Sequence, residues 1–428
     1  MRLTRPAVPL LAVLACLTLV LASCTSNPVK RAVQKVDPPV PKVAIQPTAD
    51  AKNVPVSAEI AAAVTDGKLT TVTVKDAKGA KLSGSMRPDG SSWIPDRPLT
   101  YKQKYTAEVT ATNDHGKTTT QSASFTTMAK PANQTQVTYY FQNNAKYGVA
   151  MPVPIAFDPP VPKEARAGVQ HRLFVTTSPS QPGVWHWLAD GSQAYYRAPE
   201  MWRPGTKISV RAALEGVPMG QGSYGAGDFR GTATVGDKVT LDVDNRTKQI
   251  SVYRNDRLAR KIPVSLGKSS TPSSSGKMVI MEKHETTVFD TRGSPDPYVV
   301  TVSDAQRLTW GGEFVHSAPW SVGDQGNTNV SHGCANVSPE NAAYLMKVTH
   351  VGDLVTVRGT EAKLDPGNGW TAWDMSWEQY IKGSALPVPE ELKRSNQKAG
   401  PKSGGSPAPS GTPSANGSPS AVPSNGGP

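Results

Sequence analysis

The chain has 428 residues, a formal net charge of +12 at pH 7 and only three cysteines. That length exceeds one ordinary hydrophobic core, so two to four domains are expected. The basic residues are scattered rather than gathered in a stripe, which argues against nucleic-acid binding and leaves anionic envelope polymers or lipid headgroups as natural surroundings.

Met1-Arg2-Leu3-Thr4-Arg5 gives a positive start, Pro9 to Ala22 is almost wholly apolar, and Leu21-Ala22-Ser23-Cys24 closes the run. This pattern predicts a secretory signal over residues 1–23, too short and wrongly flanked for a stable span. Small residues before Cys24 are similar to a bacterial lipoprotein cleavage site, so Cys24 is the expected lipid anchor; an ordinary signal peptide is the plainer alternative. Removal of residues 1–23 takes away Arg2 and Arg5 and no acid, leaving +10. The expected location is the outer face of the plasma membrane, within the cell envelope. Residues 24–40 are polar and Pro-rich and read as a tether.

From 41 to 128 the pattern is β. Leu69–Val74 and Tyr105–Ala111 run alternating or β-branched, and Asp66-Gly67, Pro88-Asp89-Gly90 and Asn113-Asp114-His115-Gly116 supply turns. Residues 129–235 repeat the theme with strands expected at Gln136–Phe141, Val169–Val175 and Lys207–Ala212. Two β-sandwiches forming a rigid stalk are the reading. Trp185-His186-Trp187 and Tyr195-Tyr196-Arg197 suit core or inter-domain packing better than a sugar platform. The glycines from Gly220 to Gly227 lack the spacing and the following helix of a phosphate cradle.

The third unit, 236–360, opens with strands at Val239–Val243 and Gln249–Tyr253, turned at Asp244-Asn245. A polar loop follows at Lys268–Lys277, then a strand at Met278–Met281, an irregular stretch at Asp290–Pro297 and a strand from Tyr298. One helix is expected, with Ser338 as N-cap and Pro339 in the first position. In 361–390, Trp370, Trp373, Trp377 and Tyr380 recur at helical spacing, which predicts an aromatic stripe packed on the catalytic unit. Residues 391–428 are dominated by Lys, Gly, Ser and Pro and read as disordered. The fold class expected is mainly β.

Cys334 is the single thiol expected in the folded, exported body, so it has no partner for an internal disulfide. It lies in Ser331-His332-Gly333-Cys334-Ala335-Asn336, shortly after His316-Ser317-Ala318-Pro319-Trp320. A nucleophilic thiol needs a base, and His316 and His332 are the two candidates. Gly333 permits close backbone approach to a substrate, and the amides of His332, Gly333 and Cys334 are plausible oxyanion donors. Asn336 and Ser338 can fix the loop. The competing reading is a zinc centre of His316, His332 and Cys334; the lack of a second cysteine or a carboxylate motif favours thiol chemistry, without cofactor or metal.

The two runs, His316-Ser317-Ala318-Pro319-Trp320-Ser321-Val322-Gly323 and Ser331-His332-Gly333-Cys334-Ala335-Asn336-Val337-Ser338, closely resemble the signature of the bacterial L,D-transpeptidases, nearest to actinobacterial lipoprotein members. The resemblance covers about residues 40–390 and implies two immunoglobulin-like domains, a catalytic domain and a Trp-rich C-terminal subdomain. It implies Cys334 as nucleophile, His316 as base, and the carbonyl of Ser317 as the group holding the other ring nitrogen. It implies that His332 and Gly333 shape the thiol pocket and oxyanion hole, and that Asn336 lies near the donor stem. It further implies Tyr298 at the mouth, under a hairpin flap from about Met281 to Gln306.

The implied substrates are peptidoglycan stem peptides. A donor tetrapeptide would lose its terminal D-alanine through a Cys334 thioester, and the diaminopimelate amine of an acceptor would form a 3→3 cross-link. Carbapenems are the implied inhibitors. Two departures stand out: Ala335 replaces a larger aliphatic, which would loosen packing behind the thiol, and the flap around Val288–Pro297 is only loosely similar. An L,D-carboxypeptidase and a non-catalytic envelope-binding protein are the alternative functions.

Overall fold

The computed structural model describes residues 38–87, 89–293 and 297–394. The signal segment, Cys24, the tether as far as residue 37 and the tail beyond residue 394 lie outside them. Among the described residues no helix is long and apolar enough to cross a membrane.

The first unit pairs two four-stranded sheets. Its long strands Lys68–Asp76, Lys104–Thr112 and Thr118–Thr127 contain the β-branched runs read from the sequence. Alternate residues of Lys104–Thr112 point inward, so Tyr105, Ala107, Val109 and Ala111 are buried. Period-two alternation of this kind is what a half-buried strand requires.

The second unit packs a four-stranded sheet on a six-stranded one. Here the strand expected at Val169–Val175 is corrected. Residues Lys163–Gln170 form a helix, and the strand runs Leu173–Ser178. Val169 and Gln170 are buried as the helix's inner face, a contact that local pattern could not separate from a strand. The aromatic residues Trp185, Trp187, Tyr195 and Tyr196 are all buried in this unit's core, as the packing reading held.

A carboxylate joins the two sandwiches. Glu59 receives Arg87 Nε at 2.8 Å and lies 2.8 Å from Arg172 Nη1 of the second unit. Burial opposes ionisation of Glu59, but the hydrogen bonds and charges of Arg87 and Arg172 outweigh it and hold its carboxyl below the usual range. The second unit meets the third through backbone: Gly148 N–H donates to Val351 O at 2.8 Å and Ala150 N–H to Gly352 O at 2.9 Å. A Cβ on Gly148 would lie 2.4 Å from Asp353 N, so only glycine permits this approach.

The third unit contains a six-stranded sheet in which Val239–Asp244 lies between Gln249–Arg254 and Leu354–Arg358. Against it sits a second sheet in the order Glu282–Asp290, Val299–Arg307, Phe314–Ser317, Ala335–Val337. The helix Pro339–Val348 begins as expected, with Ser338 Oγ accepting the Asn341 N–H. Ala335 is buried opposite Val315 in the core between the sheets.

The C-terminal aromatic stripe differs from expectation. Only Trp377–Ile381 is helical, while Trp370 and Trp373 lie in irregular chain and turn. The stripe packs mainly on the second sandwich rather than on the catalytic unit. Trp373 Nε1 donates to Ala150 O, Tyr380 OH to Tyr195 O, and Trp370 alone reaches back to Trp310 of the third unit. Helical spacing aligns side chains on one helix; it does not say which neighbour they meet. Residues 391–393, read as tail, continue the helix Glu390–Lys393, and Trp377 Nε1 donates to Leu392 O.

Candidate active site

The parallel pairing of Phe314–Ser317 with Ala335–Val337 builds the site. Val315 faces Ala335 and His316 faces Asn336 across this ladder. Because side chains alternate along a strand, Val315 and Ala335 enter the core. His316, Cys334 and Asn336 emerge on the opposite face and line one cavity of about 310 Å³, together with Tyr298, His332, Trp320, Phe289 and Val300. Of these, Phe289, Tyr298 and Val300 lie outside both motif runs and are brought in by the hairpin over 282–307.

His316 is 3% exposed. Its Nδ1 is 2.8 Å from Ser317 O. A carbonyl can only accept, so Nδ1 carries the proton and Nε2 is left as the basic nitrogen. Burial pulls the ring below its ordinary value, with the Ser317 hydrogen bond pulling the other way. The ring is therefore neutral at neutral pH and able to take a proton. Phe289 meets it edge-on at 5.2 Å between ring centres.

Cys334 is 6% exposed, packed with Phe314, Val302 and Ala305 and covered by Phe289 and Val300 of the flap. Burial pushes its thiol up to about 12; the Phe314 backbone lowers it and the Glu313 charge adds to the rise. Sγ sits 3.6 Å from Gly312 O, which accepts the thiol proton. At rest the thiol therefore points to a backbone carbonyl, and its burial disfavours ionisation before the base acts.

The Ser331–Cys334 loop is stapled by Ser331, whose Oγ donates to Cys334 O at 2.6 Å and accepts the Gly333 N–H at 3.1 Å. Gly333, at φ +121°, occupies backbone space that side-chain-bearing residues rarely enter. Its N–H must leave Ser331 before it can serve as an oxyanion donor. His332 is exposed; its Nε2 lies 3.2 Å from Lys268 Nζ and its ring 4.8 Å from that of Tyr298. An ammonium beside Nε2 marks that nitrogen as an acceptor, which leaves His316 as the better-placed base. Asn336 Nδ2 donates to Ser321 Oγ at 3.1 Å, tying the 318–325 loop to the strand rather than fixing the thiol loop itself.

Tyr298 sits at the turn end of the hairpin formed by Glu282–Asp290 and Val299–Arg307, one residue beyond the last pair Asp290–Val299, and the hairpin occupies the region expected for the flap over 281–306. Among the described residues no three His, Cys, Asp or Glu side chains converge as a metal site requires. Sequence reasoning did not single out Ser331, Gly312, Phe289 or Ser273. Ser331 stood in the motif itself; the others come from segments whose approach depends on the fold.

A profile for the L,D-transpeptidase catalytic domain (YkuD) matches residues 238–357, and one for a bacterial Ig domain (Big_10) matches residues 51–218. L,D-transpeptidase 2 of Mycobacterium tuberculosis is 34% identical over 353 residues, 81% of this chain and 85% of its own length. L,D-transpeptidase 5 of the same organism is 30% identical over 386 residues, 88% of this chain and 84% of its own. The solved structure of LdtMt1 in complex with imipenem is 34% identical, covers 53% of this chain and 100% of its own, and has a TM-score of 0.44. With the relatives matched along most of both lengths, the chain belongs to the L,D-transpeptidase family and is an enzyme that cross-links peptidoglycan by L,D-transpeptidation.

Proposed function

We propose that this enzyme forms 3→3 cross-links between diaminopimelate residues through a thioester on Cys334. The observation that carries the reading is the shared cavity of Cys334 and His316, with the His316 Nδ1 proton given to Ser317 O. The thiol rotates away from Gly312 O and passes its proton to His316 Nε2. The sulfur then attacks the carbonyl of the third residue of a tetrapeptide donor. The C–N bond to the terminal D-alanine breaks, and the proton held on His316 goes to the leaving amine. The acceptor's diaminopimelate amine next attacks the thioester, gives a proton to His316 and releases the sulfur, which is reprotonated. Gly333 and His332 border the developing oxyanion, Asn336 and Tyr298 the donor stem. A carbapenem would acylate the same sulfur by ring opening, with no second amine positioned to release it.

Incubation with purified disaccharide-tetrapeptide, followed by mass spectrometry, is the test. A dimer lacking one D-alanine is the expected product. A tripeptide monomer would mean that water resolves the thioester and the enzyme is a carboxypeptidase; unchanged substrate would reject both chemistries.

The reading places the enzyme on the outer face of the plasma membrane, lipidated at Cys24. Its support is the apolar run ending in Leu21-Ala22-Ser23-Cys24. At about 0.8 kcal/mol per buried methylene, two acyl chains suffice for stable attachment. In phase separation of a cell extract with a non-ionic detergent, the wild type should enter the detergent phase and Cys24→Ala the aqueous phase. Equal partitioning of the two would remove the anchor from the account.

A further inference from the structure

Glu313 is a half-buried acid that the chemistry above leaves unused. It stands between Gly312, whose carbonyl holds the thiol, and Phe314, whose backbone meets the sulfur. A tight turn closed by Leu308 N–H to Glu313 O, at 2.8 Å, sets it at the head of the strand that carries His316. From there its side chain crosses to the other sheet. Oε1 accepts the Ser274 N–H at 2.6 Å, and Oε2 is buried without a hydrogen bond. The adjacent Ser273 accepts the Gly267 N–H at 2.9 Å and donates to Gly333 O at 2.7 Å. Glu313 thus anchors the segment that grips the residue next to the thiol.

Glu313 is also the charge acting on Cys334, and its effect is to disfavour a thiolate. The other titratable groups around the thiol are His316 on the same strand, His332 in the thiol loop, Tyr298 and Arg307 from the flap, and Lys268 from the polar loop. Burial raises the Glu313 carboxyl, with the Ser274 hydrogen bonds opposing the rise.

We infer that Glu313 is a positioning residue of the reaction: by accepting the Ser274 N–H it holds the Ser273–Ser274 segment, whose Ser273 hydroxyl grips Gly333 O and so fixes the loop that presents Cys334. The inference rests on Cys334 as the nucleophile.

Two substitutions separate the hydrogen bond from the charge. Glu313→Gln keeps an oxygen for the Ser274 N–H and removes the charge. Glu313→Asp keeps the charge and withdraws it from Ser274. Iodoacetamide alkylation of Cys334, followed from pH 7 to 9 on the Cys334 peptide by mass spectrometry, reads the thiolate. Acylation by imipenem reads the positioned loop, and circular dichroism melts confirm that each variant is folded. Asp, whose shorter side chain withdraws from Ser274, should lose acylation several-fold, and Gln, which still accepts the Ser274 N–H, should restore it to near the wild-type rate. Iodoacetamide, which needs no aligned loop, should alkylate Cys334 in both variants within about twofold of the wild type. Undiminished acylation of Asp, a loss in Gln as large as in Asp, or an equal loss of alkylation and acylation would each overturn the inference. A wild type that is alkylated but forms no imipenem adduct would instead count against Cys334 as nucleophile.

Discussion

Cys334→Ala should give a folded protein with neither cross-linked nor hydrolysed product and no carbapenem adduct. The side chain is small and packs against Phe314, Val302 and Ala305, so its replacement by a methyl leaves little void. The covalent step, by contrast, has no substitute atom. His316→Gln should lower kcat/KM about 10²- to 10⁴-fold, the usual contribution of a positioned base. The magnitude belongs at the upper end because of the thiol's resting state. Burial pushes the thiol well above its ordinary value, which disfavours a resting thiolate. The base must therefore remove the proton during reaction.

The pH dependence follows with a definite sign. Burial depresses His316, so its neutral, basic form persists to pH values below those of a free imidazole. Wild-type kcat/KM should hold from neutrality down to about pH 6.5 and fall only below it. The glutamine variant should lack that acid limb. Steady-state turnover of the tetrapeptide across pH 5 to 9 checks both statements. An acid limb retained in His316→Gln would assign the base elsewhere, with His332 the next candidate.

Arg197→Ala should be the most damaging substitution away from the site. Arg197 is buried, and among the described residues no carboxylate pairs with it. Its guanidinium lies 4.3 Å from the ring centre of Trp373, 5.0 Å from Trp377 and 4.2 Å from Tyr380. Nε donates to Ala372 O at 2.8 Å, and Nη1 to Ala198 O and Pro199 O. Burial brings its pKa down to about 10, so it stays charged at neutral pH. Desolvated cation–π contacts contribute about 2 kcal/mol and hydrogen bonds from a charged group about 1.5–3 kcal/mol each. Against them stands the cost of burying the charge, so a net loss of about 3 kcal/mol is expected. That corresponds to about 6–12 °C in the unfolding midpoint of a domain this size. Arg197→Met, which fills the space and removes the charge, should lose less. Calorimetry measures the loss, and limited proteolysis should cut within 361–390 in the alanine variant first. An unchanged midpoint would mean that the aromatic residues hold the subdomain without the cation.

These outcomes depend on information of two kinds. The mainly β character was legible because Lys104–Thr112 and Val239–Asp244 alternate apolar and polar residues, a local signal that survives in any tertiary setting. The helix after the thiol was legible because Ser338-Pro339 is a start signal complete in itself. The helix Lys163–Gln170 was not, since eight residues ending in Val169-Gln170 satisfy either period. The Trp-rich segment shows the same limit from another side: its spacing was real, its partner unknowable.

What the sequence determined by itself is the chemistry available: one thiol in the described body, an imidazole able to act as a base, and a glycine beside the sulfur. Those are properties of residue types and short spacings. Only the tertiary structure decided how they are used. Parallel pairing of two strands about 20 residues apart put His316 and Cys334 on one face. The flap's Phe289 and Val300 removed the sulfur from water and raised its proton affinity, and Gly312 and Glu313 arrived beside it from a distant turn. Proton affinity depends on dielectric surroundings and neighbouring charge, and both are set by contacts between segments that carry no mark of each other in sequence.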